Sequence, residues 1–180
     1  MKTFTLLLVI LLSQISNALT VEGIDIKETQ TLNKNELILN GVGIRKATWF
    51  KVKVYLGSLY LKKKTKSIKE ILAPNYPKIL NMNFVYNAGK EKLIAGWNEG
   101  FVAAHGKSND QELTKFNELM KDIKKGQTIS IQFLDTGVNV SFNKSPFTFI
   151  KSKTFSRKLL SIWFINPRDT ELAKGLQGLL

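Results

Sequence analysis

The sequence predicts an α+β fold, a mostly antiparallel sheet with helices laid on one face, and three observations carry that prediction. Segments dense in β-branched and aromatic residues fill the first half and return between residues 128 and 150. Helical periodicity is grouped in the middle and at the end of the chain, so single strands do not alternate with single helices. The late strands are joined by hairpin-length turns such as Asp135-Thr136-Gly137, with glycine where a positive φ is wanted. The βαβα alternation of a dinucleotide-binding fold is missing.

In chain order, Glu36 to Asn40 is an apolar-rich strand that ends at Gly41 and Gly43, a glycine pair expected to form a turn or bulge. Trp49 to Leu61 is the strongest strand, with Phe50, Val52, Val54, Leu56, Ser58 and Tyr60 on one parity and Lys51, Lys53, Tyr55, Gly57 and Leu59 on the other. The lysine half of that second face should meet water. The cluster Lys62, Lys63, Lys64 and Lys66 reads as a solvated turn, followed by a short helix from Ser67 to Leu72 before Pro74. Ile79 to Tyr86 is the next strand, with Leu80, Met82, Phe84 and Tyr86 on one face. Leu93, Trp97 and Phe101 recur at helical spacing up to Gly106. Ser108 and Gln111 form a capping-box pattern for a second helix with Leu113, Phe116, Met120 and Ile123 as its stripe. Strands at Thr128 to Leu134, Val138 to Phe142 and Phe147 to Ile150 precede a helix from Phe155 to Ile165. A last helix should be capped by Asn166, with Pro167 in its first position.

The N-terminus has the three parts of a cleavable export signal: Lys2, the apolar run Phe4 to Leu12, and the small-residue stretch Ser16-Asn17-Ala18. The run is about half the roughly 20 residues a spanning helix needs. The expected organisation is therefore a signal peptide at residues 1–18 and a single domain at 19–180, without a membrane span once the signal is gone. An exported chain without cysteine has no disulfides and must be held by its core, which favours a bacterial periplasm or secretion over a eukaryotic route. The net charge of +13 is spread over the chain without aromatics interleaved in an RNA-binding pattern, so no nucleic-acid partner is expected.

The chemistry-bearing motifs are few. Gly41-Val42-Gly43 is half a dinucleotide fingerprint, with Lys46 in the third glycine's place and a strand following. Asp135-Thr136-Gly137 matches the aspartic-protease triplet, but a single copy lacks the second carboxylate that such chemistry needs. His105 is the only histidine and, without cysteine, makes no zinc site; it is expected to cap the last turn of its helix. No cofactor is implied. Arg45 stands out because Arg45, Arg157 and Arg168 are the only arginines among 27 basic residues. A guanidinium suits a planar acid held by two parallel hydrogen bonds; a structural ion pair is the competing reading.

The run Leu39-Asn40-Gly41-Val42-Gly43-Ile44-Arg45, with Val54-Tyr55-Leu56-Gly57 about ten residues on, resembles the signature of chalcone isomerase-like proteins. Gly96-Trp97-Asn98-Glu99-Gly100-Phe101 and the ending Leu160-Ser161-Ile162-Trp163-Phe164 resemble the family's exported bacterial branch. The resemblance implies an open-faced β-sandwich with a ligand cleft between a large antiparallel sheet and the helices on one face. In the plant enzymes an arginine holds the phenolate that adds to an enone, assisted by a threonine, a tyrosine and a lysine. Here Arg45 matches the arginine and Tyr55 takes the threonine's register. No tyrosine lies in the segment Gly89 to Gly96, and the lysine register near Lys92 is lost. Those departures imply a non-catalytic protein that binds a small amphipathic, fatty-acid-like acid through Arg45 and Tyr55; the alternative is an isomerase, an intramolecular lyase acting on an enone. A turn around Lys46 to Thr48 separates the two residues, so their numbering does not establish a shared face.

Overall fold

Residues 18–47 and 50–180 are described by a computed structural model; the expected signal, apart from Ala18, and Trp49 lie outside them. Two sheets form. A hairpin of β1 (Ala18–Val21) and β2 (Ile24–Lys27) stands apart from a seven-stranded, wholly antiparallel meander. The meander runs in sequence order through β3 (Thr29–Leu32), β4 (Asn35–Ala47), β5 (Val52–Leu61), β6 (Lys78–Phe84), β7 (Thr128–Phe133), β8 (Gly137–Phe142) and β9 (Thr148–Lys151). Helices α2 (Lys90–His105), α3 (Gln111–Glu118) and α4 (Phe155–Ser161) pack on one face of this curled sheet, and the short α1 (Ile68–Ile71) follows β5. The last helix, α5 (Thr170–Leu176), lies against β4. The α+β architecture expected from the sequence is therefore the one observed. Among the described residues no helix is long and apolar enough to cross a membrane.

The main core lies between the sheet and the helices: Leu93, Trp97 and Phe101 of α2, Leu113 and Phe116 of α3, and Phe155 and Leu159 of α4 face Leu59, Leu80, Met82, Ile129 and Ile131. A second, smaller core lies on the opposite face, where Ile26 of the β1–β2 hairpin packs with Leu37, Leu56, Tyr60 and Ile79. The Tyr60 hydroxyl donates to the Lys27 carbonyl at 2.9 Å and ties the hairpin down. Strand β5 is thus covered on both sides, and every residue from Tyr55 to Leu61 is buried. The sequence reading placed water only along the lysine end, and Lys51 and Lys53 are indeed exposed.

Two bulges decide which side chains face the helices. Ile38, Leu39 and Gly41 pair with Leu61, Tyr60 and Leu59, leaving Asn40 as an extra residue in β4. Arg45 pairs with Tyr55 and Lys46 with Lys53, leaving Val54 as an extra residue in β5. A bulge shifts side-chain parity by one, so Val52 and Val54 join odd-numbered Tyr55 on the helix side. The single parity expected along residues 49–61 is corrected accordingly. The backbone N–H groups of Val85 and Tyr86 both donate to the Val54 carbonyl, which ends β6 at Phe84; Tyr86 is 56% exposed and lines the same cavity as Met82 and Phe84.

Gly41 and Gly43 do not end their strand, which continues through them to Ala47. They lie where α5 meets β4 backbone to backbone: a Cβ on Gly43 would sit 2.5 Å from the Leu172 carbonyl oxygen, and one on Gly175 would sit 2.4 Å from that of Val42. Asn40, buried in its bulge, donates to the Leu176 carbonyl at 2.7 Å and accepts from the Thr65 N–H.

Helix starts differ in two places from the sequence reading. Asp110, not Ser108, caps α3, its carboxylate accepting from the N–H groups of Glu112 and Leu113. Asp169, not Asn166, caps α5; Asn166 instead takes a positive φ of 46° and donates to the Ala103 carbonyl. Aspartate outcompetes the earlier candidates because its ionised oxygens accept the orphan N–H groups and a cation at once. At Asp110 that cation is Lys158, 2.7 Å away.

Candidate functional site

Arg45 and Tyr55 are cross-strand partners in the β4–β5 register, and both line one cavity between sheet and helices. The antiparallel pairing puts them on a shared face, which residue numbering alone could not establish. The cavity has a volume of about 390 Å³, inside the roughly 300–1,000 Å³ range of small-molecule sites. Its inner wall is apolar: Met82 and Phe84 of β6, Leu93 and Trp97 of α2, and Ile162 and Trp163 beyond α4. Arg45, Lys92, Arg168 and Asp169 supply its charged groups.

Tyr55 is 8% exposed and packs against Phe84, with ring centroids 5.5 Å apart. Its hydroxyl oxygen accepts the indole N–H of Trp163 at 3.1 Å. Trp163 is held in turn by an edge-on contact with Trp97, whose own N–H points at the Met120 sulfur. No acceptor among the described residues takes the proton that Tyr55 itself can donate. Burial pushes the phenol's pKa up to about 12, against the smaller opposing effects of the Trp163 hydrogen bond and the Arg45 charge. At neutral pH the group is therefore an O–H donor whose lone-pair side is already engaged.

Arg45 spends one nitrogen on the protein: Nη1 donates to the Lys46 carbonyl at 2.6 Å and to Asp169 Oδ2 at 3.3 Å. The ion-pair reading of Arg45 is thus realised. The Nε–Nη2 edge has no hydrogen-bonded partner among the described residues, and the side chain is 26% exposed. Asp169 also accepts the Lys46 N–H at 2.8 Å and, through Oδ1, the Leu172 N–H at 3.0 Å. Burial alone would raise its pKa; the Leu172 and Lys46 N–H groups and Arg45 outweigh that and hold it below the usual carboxylate range. Asp169 therefore stays ionised, with Arg45 as its counter-ion and α5 as its support.

The sequence reading missed Asp169, because Asn166-Pro167 looked like the better helix start, and it gave Trp97 and Trp163 no part in the site. They are core, and they also wall the cavity. Tyr86 and Lys92, outside the expected register, reach the cavity as well. His105 does not belong to it. At the end of α2 its Nε2 lies 3.1 Å from both the Lys158 carbonyl and the Ser161 hydroxyl, so it ties α2 to α4 instead of capping its own helix. Asp135 and Thr136 form the exposed tip of the β7–β8 hairpin.

A curled antiparallel sheet whose helices enclose a cavity headed by a strand arginine defines a class, and the sequence comparison agrees with it. Residues 18–178 match the family described as chalcone isomerase-like, and the chain belongs to that family. Among solved structures, a fatty-acid binding protein of Arabidopsis thaliana superposes with a TM-score of 0.69 over 91% of this chain and 97% of its own, at 15% sequence identity. At that identity the likeness concerns the fold. No curated protein sequence matches.

Proposed function

We propose that this chain is a non-catalytic member of its family that binds an amphipathic, fatty-acid-like acid in the sheet–helix cavity. The carrying observation is the Tyr55 hydroxyl: it accepts from Trp163, it lines the same cavity as its cross-strand partner Arg45, and no acceptor among the described residues takes its own proton. A ligand head that accepts from Tyr55 and from the free edge of Arg45 is an anionic acid, and the apolar wall suits its tail. The fatty-acid binding activity named for the Arabidopsis protein supports the same reading. Calorimetric titration with hexadecanoate tests it. Arg45→Lys should lose on the order of 2–5 kcal/mol of binding, since an ammonium cannot supply the fork. Tyr55→Phe should lose about 0.5–1.5 kcal/mol, or about 3 against a charged acceptor. Equal affinities across the three proteins would remove both residues from the binding site.

The presence of Tyr86 and Lys92 at the cavity favours a second reading, intramolecular addition to an enone. Both side chains are exposed to water, where a carbonyl-polarising group is weak, so this reading ranks second. A saturable chalcone cyclisation abolished by Arg45→Ala would promote it. The proposed place of action is the bacterial periplasm or exterior, in the exported branch of the family, reached through removal of residues 1–18. N-terminal sequencing of the secreted protein should begin near Leu19, and retention of Met1 would overturn this.

A further inference from the structure

We infer that the rim of the cavity docks on an anionic lipid bilayer, so that the acid enters from a membrane surface. The inference rests on the acid-binding reading for the identity of the cargo. Ala47 and Val52, which line the cavity, flank the β4–β5 turn, and in that turn Phe50 is 69% exposed. Just past the end of the neighbouring β6, Tyr86, itself a lining residue, is 56% exposed, its N–H bonded to the Val54 carbonyl beside the turn. The amphipathic ring of Tyr86 suits the headgroup layer of a membrane, and the exposed ring of Phe50 offers apolar surface to the boundary beneath it.

The charges at the same rim are complementary to an anionic surface. Lys51 beside Phe50, and Lys90 and Lys92 in the first turn of α2, are exposed. Of the nearby carboxylates, Asp169 is engaged by Arg45 and Glu99 by Arg168, which leaves Glu91 in that first turn and Asp122, whose carboxylate accepts the Lys90 N–H at 2.8 Å, as the exposed acids set against Lys51, Lys90 and Lys92. The rim therefore carries a cationic excess, in keeping with the +13 of the whole chain. A basic residue brought to an anionic bilayer strengthens partitioning by roughly fivefold, and aromatic insertion adds to it without requiring a specific headgroup.

The test is flotation of the full chain, in the N-terminal form recovered from expressing cells, with vesicles of phosphatidylcholine alone or mixed with phosphatidylglycerol. Any contribution of the N-terminal apolar run is common to every variant and cancels in the comparison. Binding should require phosphatidylglycerol, should fall roughly fivefold or more in Lys51→Glu, and should fall also in Phe50→Ser. Val102→Ser, which removes an exposed side chain near the opposite end of α2, should leave it unchanged. Hexadecanoate affinity in water is measured in parallel and should be unaltered in the Phe50 and Lys51 variants. Binding indifferent to phosphatidylglycerol, or lost equally with Val102→Ser, would overturn the inference. So would loss in Lys51→Glu with none in Phe50→Ser, the mark of a purely electrostatic surface suited to a polyanion. If vesicles bind as expected but hexadecanoate does not, the acid-binding reading fails instead.

Discussion

A single methyl group at Gly43 should dislodge α5. The new Cβ would lie 2.5 Å from the Leu172 carbonyl oxygen and 3.1 Å from the Leu172 Cα, and both are backbone atoms that no rotamer change can move aside. Forced overpacking of this kind costs about 1–3 kcal/mol. The displacement would also stretch the two bonds that Asp169, at the start of α5, receives from Arg45 and the Lys46 N–H, and hydrogen bonds to a charged group contribute about 1.5–3 kcal/mol each. Gly43→Ala should therefore cost about 3–5 kcal/mol, a large share of the roughly 5–15 that hold a typical domain. Gly57→Ala is the control, because its Cβ would meet side-chain atoms alone, the Leu172 and Leu176 methyl groups at 3.3 Å, which can yield, and the Tyr55 ring at an ordinary 3.6 Å; it should cost under about 1.5 kcal/mol. Urea titration of both variants measures the difference as midpoint shifts at constant slope. A Gly43→Ala protein within about 0.5 kcal/mol of wild type, or one no less stable than Gly57→Ala, would refute the backbone-contact argument.

Three further outcomes are expected. Because the folded pKa of Tyr55 is raised to about 12 from 10.0, its stabilising contribution is complete below pH 10 and is lost as pH climbs toward 12. About 2–3 kcal/mol should disappear across that window, and Tyr55→Phe should flatten the decline measured by denaturant titration at each pH. Gly96 of α2 lines the cavity with no atom within 4 Å of where a Cβ would stand, so Gly96→Ala should stabilise by about 0.5–1 kcal/mol in thermal melts. Gly96→Trp should instead fill the opening and abolish hexadecanoate binding; undiminished binding would mean the ligand sits elsewhere.

Much of the fold was legible because its strands and helices obey simple periods. The α2 stripe of Leu93, Trp97 and Phe101, the short helix following Ser67 and the hairpin at Asp135-Thr136 follow from spacing and turn chemistry alone. Side-chain direction was not legible, since the bulges at Asn40 and Val54 each shift parity by one and leave no composition signal. The hairpin Ala18–Lys27 was also missed: its strands are only four residues each, and only the tertiary structure shows that they cover the back of β5. The site was half legible. Arg45 was marked by scarcity and Tyr55 by register, but Asp169 and Trp163 act through contacts 124 and 108 residues away in the chain, which no local pattern reports.

That separation has a consequence for any ligand held at the charged end of the cavity. The charged end of the cavity is closed by Asp169 meeting Arg45, one contribution from β4 and the other from the N-terminus of α5, so half-folded chains that lack the α5 docking present no complete site. A ligand held there would be coupled to the whole structure and not to a loop. Its occupancy would then add to global unfolding resistance as RT ln(1 + [L]/Kd), about 2.7 kcal/mol at a hundredfold excess over Kd. Loaded and empty molecules would therefore differ in lifetime against proteases, and supply of such a ligand would set how much of the protein persists.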